Sequence, residues 1–120
     1  MNTLLLISAL MLKHTIADYV VQTSWMIVEK SQYGKKGGLA HAGVHGFLTV
    51  LILLLFNVPF FYSILLGAME SVLHYHIDFY KSNWMKKHKP DPNSQLYWTA
   101  HGIDQYLHFL TYVLLIILLV

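Results

Sequence analysis

The chain has 120 residues, enough for one domain. Its 56% hydrophobic content and mean hydropathy of +0.49 are well above a typical soluble domain and point to a bilayer. A net charge of only +2, with no cysteine and no arginine, excludes disulfides, thiolate metal sites, bidentate guanidinium clamps and a basic nucleic-acid groove.

The first predicted helix runs from about Thr3 to about Glu29, with Asn2 or Thr3 able to cap it. Its opening, MNTLLLISALMLKHTIADYVV, lacks the basic n-region and the small-x-small site of a signal peptide, so it reads as a retained helix. The glycines and lysines of SQYGKKGG (Ser31 to Gly38) break it. The second helix spans about Leu39 to Phe56. Asn57-Val58-Pro59 reverses the chain, with proline in the first turn of the third helix, about Pro59 to Lys81. KSNWMKKHKPDPNS (Lys81 to Ser94) is polar, holds two prolines and is predicted as a loop. The fourth helix runs from about Leu96 to Val120.

Each apolar run reaches the ~20 residues a membrane span needs once its polar end is included. The expected fold is all-α: a four-helix transmembrane bundle forming a single domain over residues 1–120, with both termini on the same, outer side. Lys30, Lys35 and Lys36 lie in the first loop, and Lys81, Lys86, Lys87 and Lys89 in the third. The positive-inside rule puts both loops in the cytoplasm, so the expected location is the cytoplasmic (inner) membrane, multi-pass. Trp25, Trp84 and Trp98 lie near the same lysine-rich ends, where interfacial anchors belong.

Within these apolar helices His14 pairs with Asp18, His41 with His45, His74 with Asp78 and Asp104 with His108, always four residues apart. On a helix that spacing puts both side chains on one face. A single such pair is ordinarily a hydrogen-bonded helix contact. Four pairs at one depth, on the cytoplasmic half of the bundle, need a common cause. An aspartate at the centre of a bilayer costs roughly 2.5 to 3.5 kcal/mol.

Neutral imidazole and carboxylate suit a divalent metal: zinc first, with manganese or iron as alternatives. Eight candidate ligands (His14, Asp18, His41, His45, His74, Asp78, Asp104 and His108) are too many for one ion, and fit two ions or one ion with supporting carboxylates. Gln22 lies one turn after Asp18, and Glu70 one turn before His74, so Glu70, His74 and Asp78 share a face. His101 can join from three residues before Asp104, whereas His76 points elsewhere and His88 lies in the lysine loop.

These residues resemble a family of small bacterial and phage multi-pass membrane proteins known as domain of unknown function 3307. The resemblance rests on HTIADYVVQTSWMIVEK (His14 to Lys30), LAHAGVH (Leu39 to His45), LHYHIDFYK (Leu73 to Lys81) and DQYLH (Asp104 to His108). It implies a multi-pass membrane protein and the same His/Asp set, and supplies no activity. A looser similarity is to membrane proteins described as metal-dependent hydrolases.

The expected function is a metal-dependent membrane hydrolase acting on a phosphoester or other lipid-like substrate, with Glu70 or Asp18 taking the proton and Lys81 or Lys30 steadying an anionic headgroup. HAGVH also matches one element of a di-iron membrane oxidase, but the adjacent histidine pairs of those enzymes are absent. The non-enzymatic alternatives are proton or divalent-metal binding or transport, and an accessory subunit of a membrane complex. Expected partners are the lipid bilayer and an anionic lipid-like substrate, with no nucleic acid; a homo-oligomer is left open.

Overall fold

The computed structural model describes residues 1–120 and is entirely helical. Helix α1 spans Thr3–Ile16 and runs on through a π-helical turn at Ala17–Val21. It is followed by the short α2 (Ser24–Glu29), then α3 (Lys36–Leu55), α4 (Phe60–His88) and α5 (Gln95–Leu119). Helices α1, α3, α4 and α5 form a closed ring in which each touches the next, and α2 lies against α3.

Three boundaries differ from the sequence expectation. The helix expected from Thr3 to Glu29 breaks at Gln22 and Thr23, which are extended. The π turn leaves backbone groups without helical partners. The Gln22 side chain donates to the Asp18 carbonyl at 2.9 Å, and Thr23 Oγ1 accepts from Met26 N to start α2. Helix α3 begins at Lys36, ahead of Leu39, because Glu29 Oε2 accepts the Gly37 N–H at 2.6 Å and supplies the missing cap. Gly37 is needed there, since a Cβ would stand 2.7 Å from the Trp25 carbonyl oxygen. Helix α4 continues past Lys81 to His88, so the first half of the expected third loop is helical. It stops where Lys89 turns left-handed, just before Pro90.

Thr3–Val21, Lys36–Leu55 and Gln95–Leu119 are long and apolar enough to cross a membrane. Helix α4 is longer, but Glu70, His74, His76 and Asp78 make it more polar than these three. The surface is aliphatic and aromatic: Leu4, Leu55, Phe61 and Val120 are each at least 78% exposed. The interior is layered. At one end Leu6, Leu10, Leu53, Val58, Leu66 and Leu115 form an apolar cluster. Both chain termini and the Asn57 turn gather there, and Tyr62 Oη donates to the Leu118 carbonyl at 2.6 Å. At the other end Asn83 of the extended α4 reaches Ser31 in the first loop.

Helices α3 and α4 approach closely through small residues. A Cβ on Gly46 would stand 2.6 Å from the Gly67 carbonyl oxygen, and one on Gly67 would stand 2.8 Å from that of Gly46. Ser71 Oγ donates across the same seam to the Ala42 carbonyl at 3.0 Å. Ala42 and Gly46 on α3 face Gly67 and Ser71 on α4, the small-xxx-small pattern by which apolar helices pack closely. Gly67→Leu is therefore expected to cost roughly 1–3 kcal/mol by overpacking and to lower the melting temperature in detergent. Gly43→Ala, which meets open space, is expected to leave it unchanged or raise it.

Candidate metal centre

His14 and Asp18 lie in the last turns of the first long helix, because that helix ends at Val21. The break thus brings them level with the other three pairs without a helix projecting beyond the bundle. His41 and His45 come from the first half of α3, His74 and Asp78 from the second half of α4, and Asp104 and His108 from the first half of α5. Since α3 and α4 run antiparallel, all these positions meet at one height. Seven of the eight residues are buried, and Asp18 is nearly so.

All five histidines turn Nε2 towards the three aspartates. Asp18 Oδ1 lies 2.9 Å from His45 Nε2 and 3.1 Å from His41 Nε2, and Asp18 Oδ2 lies 3.1 Å from His14 Nε2. Asp78 Oδ2 lies 3.0 Å from His74 Nε2 and 3.3 Å from His41 Nε2, while Asp78 Oδ1 lies 3.1 Å from His108 Nε2. His108 Nε2 is also 3.3 Å from Asp104 Oδ1. The Nε2 atoms of His41 and His74 face each other at 3.3 Å.

Hydrogen bonding alone does not account for this arrangement. His41 Nε2 has Asp18, Asp78 and His74 all within 3.3 Å and carries at most one hydrogen. Asp78 Oδ2 and Asp104 Oδ1 are buried and, despite their near nitrogens, accept no hydrogen bond of good angle. Donor atoms aimed at a shared point between them look like this. Two tetrahedral ligands of zinc at ~2.0–2.1 Å stand about 3.3 Å apart. Three overlapping groups have ligand atoms mutually within 4.8 Å: Asp18, His41, His45 and His74; His14, His74 and His108; Asp78, Asp104 and His108.

Beneath this layer lies another, of which the sequence pointed only to Glu70. Lys13 is buried and forms an ion pair with Glu70, which also accepts from Thr49 Oγ1. The Lys13 ammonium donates to the His45 carbonyl at 3.1 Å and lies 3.4 Å from His45 Nδ1. Tyr112 Oη meets His14 Nδ1 at 2.8 Å, and Gln105 Oε1 meets His14 Nε2 at 3.0 Å. Glu70 is thus brought behind the His45 ring, 3.9 Å from Nδ1, and not onto the face where the Nε2 atoms converge. The available signal was Lys13 itself, a charge inside an otherwise apolar run next to His14.

Cations line the other side. Lys30 Nζ is 3.7 Å from Asp78 Oδ2, and Lys81 Nζ is 3.8 Å from Asp104 Oδ2 and 3.4 Å from His101 Nδ1. His101 therefore sits on the rim, not among the convergent donors. His76 bonds Tyr33 Oη at 3.0 Å and His88 stacks on Trp84, both away from the centre.

A family model described as "Protein of unknown function (DUF3307)" matches residues 5–120. The chain belongs to this family. The match takes in the convergent residues of all four long helices, so DUF3307 membership covers the whole centre. No curated protein and no solved structure matches the chain.

Removing one partner of a buried ion pair leaves the other charge unpaired, at roughly 3–5 kcal/mol. Lys13→Met and Glu70→Gln are each expected to destabilise the protein on that scale. The double variant is expected to lose clearly less than the sum, a coupling that a double-mutant cycle of unfolding in detergent reads directly.

Proposed function

We propose that the protein is an integral membrane metal-dependent hydrolase that acts on a phosphoester or related lipid-like substrate through two adjoining divalent ions. The carrying observation is Asp78 Oδ2, buried, surrounded by imidazole nitrogens and without a hydrogen bond. Asp18, His41 and His45 would hold one ion and Asp78, Asp104 and His108 the other, with His14 and His74 between them. The all-nitrogen-and-oxygen donor set favours zinc, with manganese or iron as the alternatives. A bound ion of this kind lowers the pKa of its water to about 7 and so supplies hydroxide at neutral pH.

In this reading the four long helices cross the inner membrane as a bundle. At ~1.5 Å per residue the 29 residues of α4 exceed the ~30 Å hydrocarbon core, so its lysine-bearing end emerges on the cytoplasmic side. The lysine-rich loops face the cytoplasm and the termini face out. Lys30 and Lys81 steady the anionic group of the substrate. The Asp104 oxygen that faces Lys81, and not the ion, takes the proton of the attacking water. The water oxygen bonds to phosphorus or acyl carbon, the ester oxygen departs, and Asp104 returns the proton to it. Asp18, contacted by three imidazoles, is a ligand in this scheme. Glu70 positions His45 through Lys13. The buried leucine layer beyond them weighs against a transport path, which would have to continue polar to the far side.

Elemental analysis of detergent-purified protein is expected to give close to two zinc ions per chain. Asp78→Asn or His41→Ala is expected to reduce this to one or fewer and to abolish hydrolysis of an anionic phospholipid or phosphoester. Full activity in metal-free protein overturns the reading. Tyr112→Phe removes the partner of His14 Nδ1, and is expected to weaken metal affinity by about 10- to 100-fold with little loss of fold, measured by competition with a chromogenic chelator. Imidazole and carboxylate bind metal only when unprotonated, so acidification is expected to release the ions, and restoring neutral pH with added zinc to reload them.

A further inference from the structure

A groove of about 620 Å³ runs between α4 and α5 on the outside of the bundle. Leu73 and Leu107 lie at one end of it, Trp84 and Leu96 at the other, and Lys81 and Asp104 in its wall between them. It is the place where the centre opens sideways, since Asp104 belongs to the convergent set and is itself buried. From Leu96 to Leu107 the groove follows α5 for about 17 Å at ~1.5 Å per residue, close to half of the ~30 Å hydrocarbon core. It is therefore as deep as one leaflet. Its walls are mostly apolar, with His76 and Thr99 among the lining, and Lys81 turns inward to Asp104, at 3.8 Å, and does not extend outward along the helix.

We propose that this groove seats one acyl chain of an anionic phospholipid from the surrounding leaflet, with the headgroup drawn to Lys81 and so to the edge of the metal centre. The proposal rests on the hydrolase reading for its purpose and names the substrate class. Three features argue for a lipid. The groove is as long as a leaflet is deep, its lining is mostly apolar, and its lysine stands beside the opening to the centre. A second copy of the chain packed here would seal Asp104 and Lys81 away from any ligand.

The test uses full-length protein in detergent with Trp25→Phe and Trp98→Phe, so that fluorescence reports Trp84 alone. Phosphatidylglycerol brominated on its acyl chains is titrated in, alongside brominated phosphatidylcholine and unbrominated glycerol phosphate. The expected result is saturable quenching by the phosphatidylglycerol, about tenfold weaker affinity for the phosphatidylcholine, and no competition by glycerol phosphate. Ala100→Phe, which fills the groove, is expected to weaken binding by at least about tenfold. Lys81→Gln is expected to bring the anionic lipid down to the level of the zwitterionic one. Thr99→Phe, at a second lining position, is expected to cause the same loss as Ala100→Phe and guards against a folding defect in either. Equal quenching by both lipids with no effect of the filling variants overturns the proposal. So does Trp84 shielded by self-association, seen as a dimer in light scattering. Zinc content is measured on every sample. Absence of lipid binding by the protein with an unfilled groove and zinc retained sinks the groove alone, whereas lipid binding without any zinc sinks the hydrolase reading alone.

Discussion

Carboxylates and imidazoles buried inside an apolar helix ring must be satisfied by one another, by the few polar side chains beside them or by an ion. A charged group placed among hydrocarbon costs kilocalories unless its lone pairs or protons find partners. Asp18 and Asp78 are each ringed by three imidazole nitrogens, from their own helix and from others, and Asp104 is met by His108 of its own helix and Lys81 of α4. No helix could withdraw from the ring without stranding a charge on its neighbour. The polar layer thus fixes the rotation and height of all four long helices more tightly than the surrounding leucines could, since aliphatic contacts are non-directional.

The rest of the interior follows from this layer. On one side the Lys13–Glu70 pair and Tyr112 brace the backs of His45 and His14. Behind them the cluster of Leu6, Leu10, Leu53, Leu66 and Leu115 closes the bundle. On the other side Lys30 and Lys81 bring positive charge to the rim. The order is apolar plug, buried ion pair, convergent donors, cationic rim. It gives the centre a closed end and an open one. The open sides of the centre are the rim and the cleft between α4 and α5.

Backbone details serve the same constraint. The π turn and the break at Gln22 end the first long helix just beyond Asp18, which sets the His14 pair level with the others. The Gly46–Gly67 contact draws α3 and α4 together, so that His41 and His74 meet ring to ring at 5.1 Å between centroids. A bulkier residue at either glycine would hold those rings apart.

Much of the centre could be read from the chain. Spacing of four on an α-helix puts two side chains on one face whatever surrounds them, so the pairs at 14/18, 41/45, 74/78 and 104/108 were identifiable by periodicity alone, as were the all-helical class and the membrane-length apolar runs. What periodicity could not reach was anything set between helices. Lys13 looked like a stray charge until Glu70 of α4 stood opposite it, and Tyr112 and Gln105 looked like ordinary α5 residues until His14 met them. The break at Gln22 carries no proline or glycine, and the lysine-rich end of α4 contains no breaker before Pro90, so local propensity misjudged both. The sequence by itself determined which residues are polar on which helical face, because that depends on a fixed rise and twist. Only the tertiary structure decided which of those faces meet, which carboxylate oxygen is left without a proton donor and where the cleft opens, because those depend on distances between segments far apart in the chain.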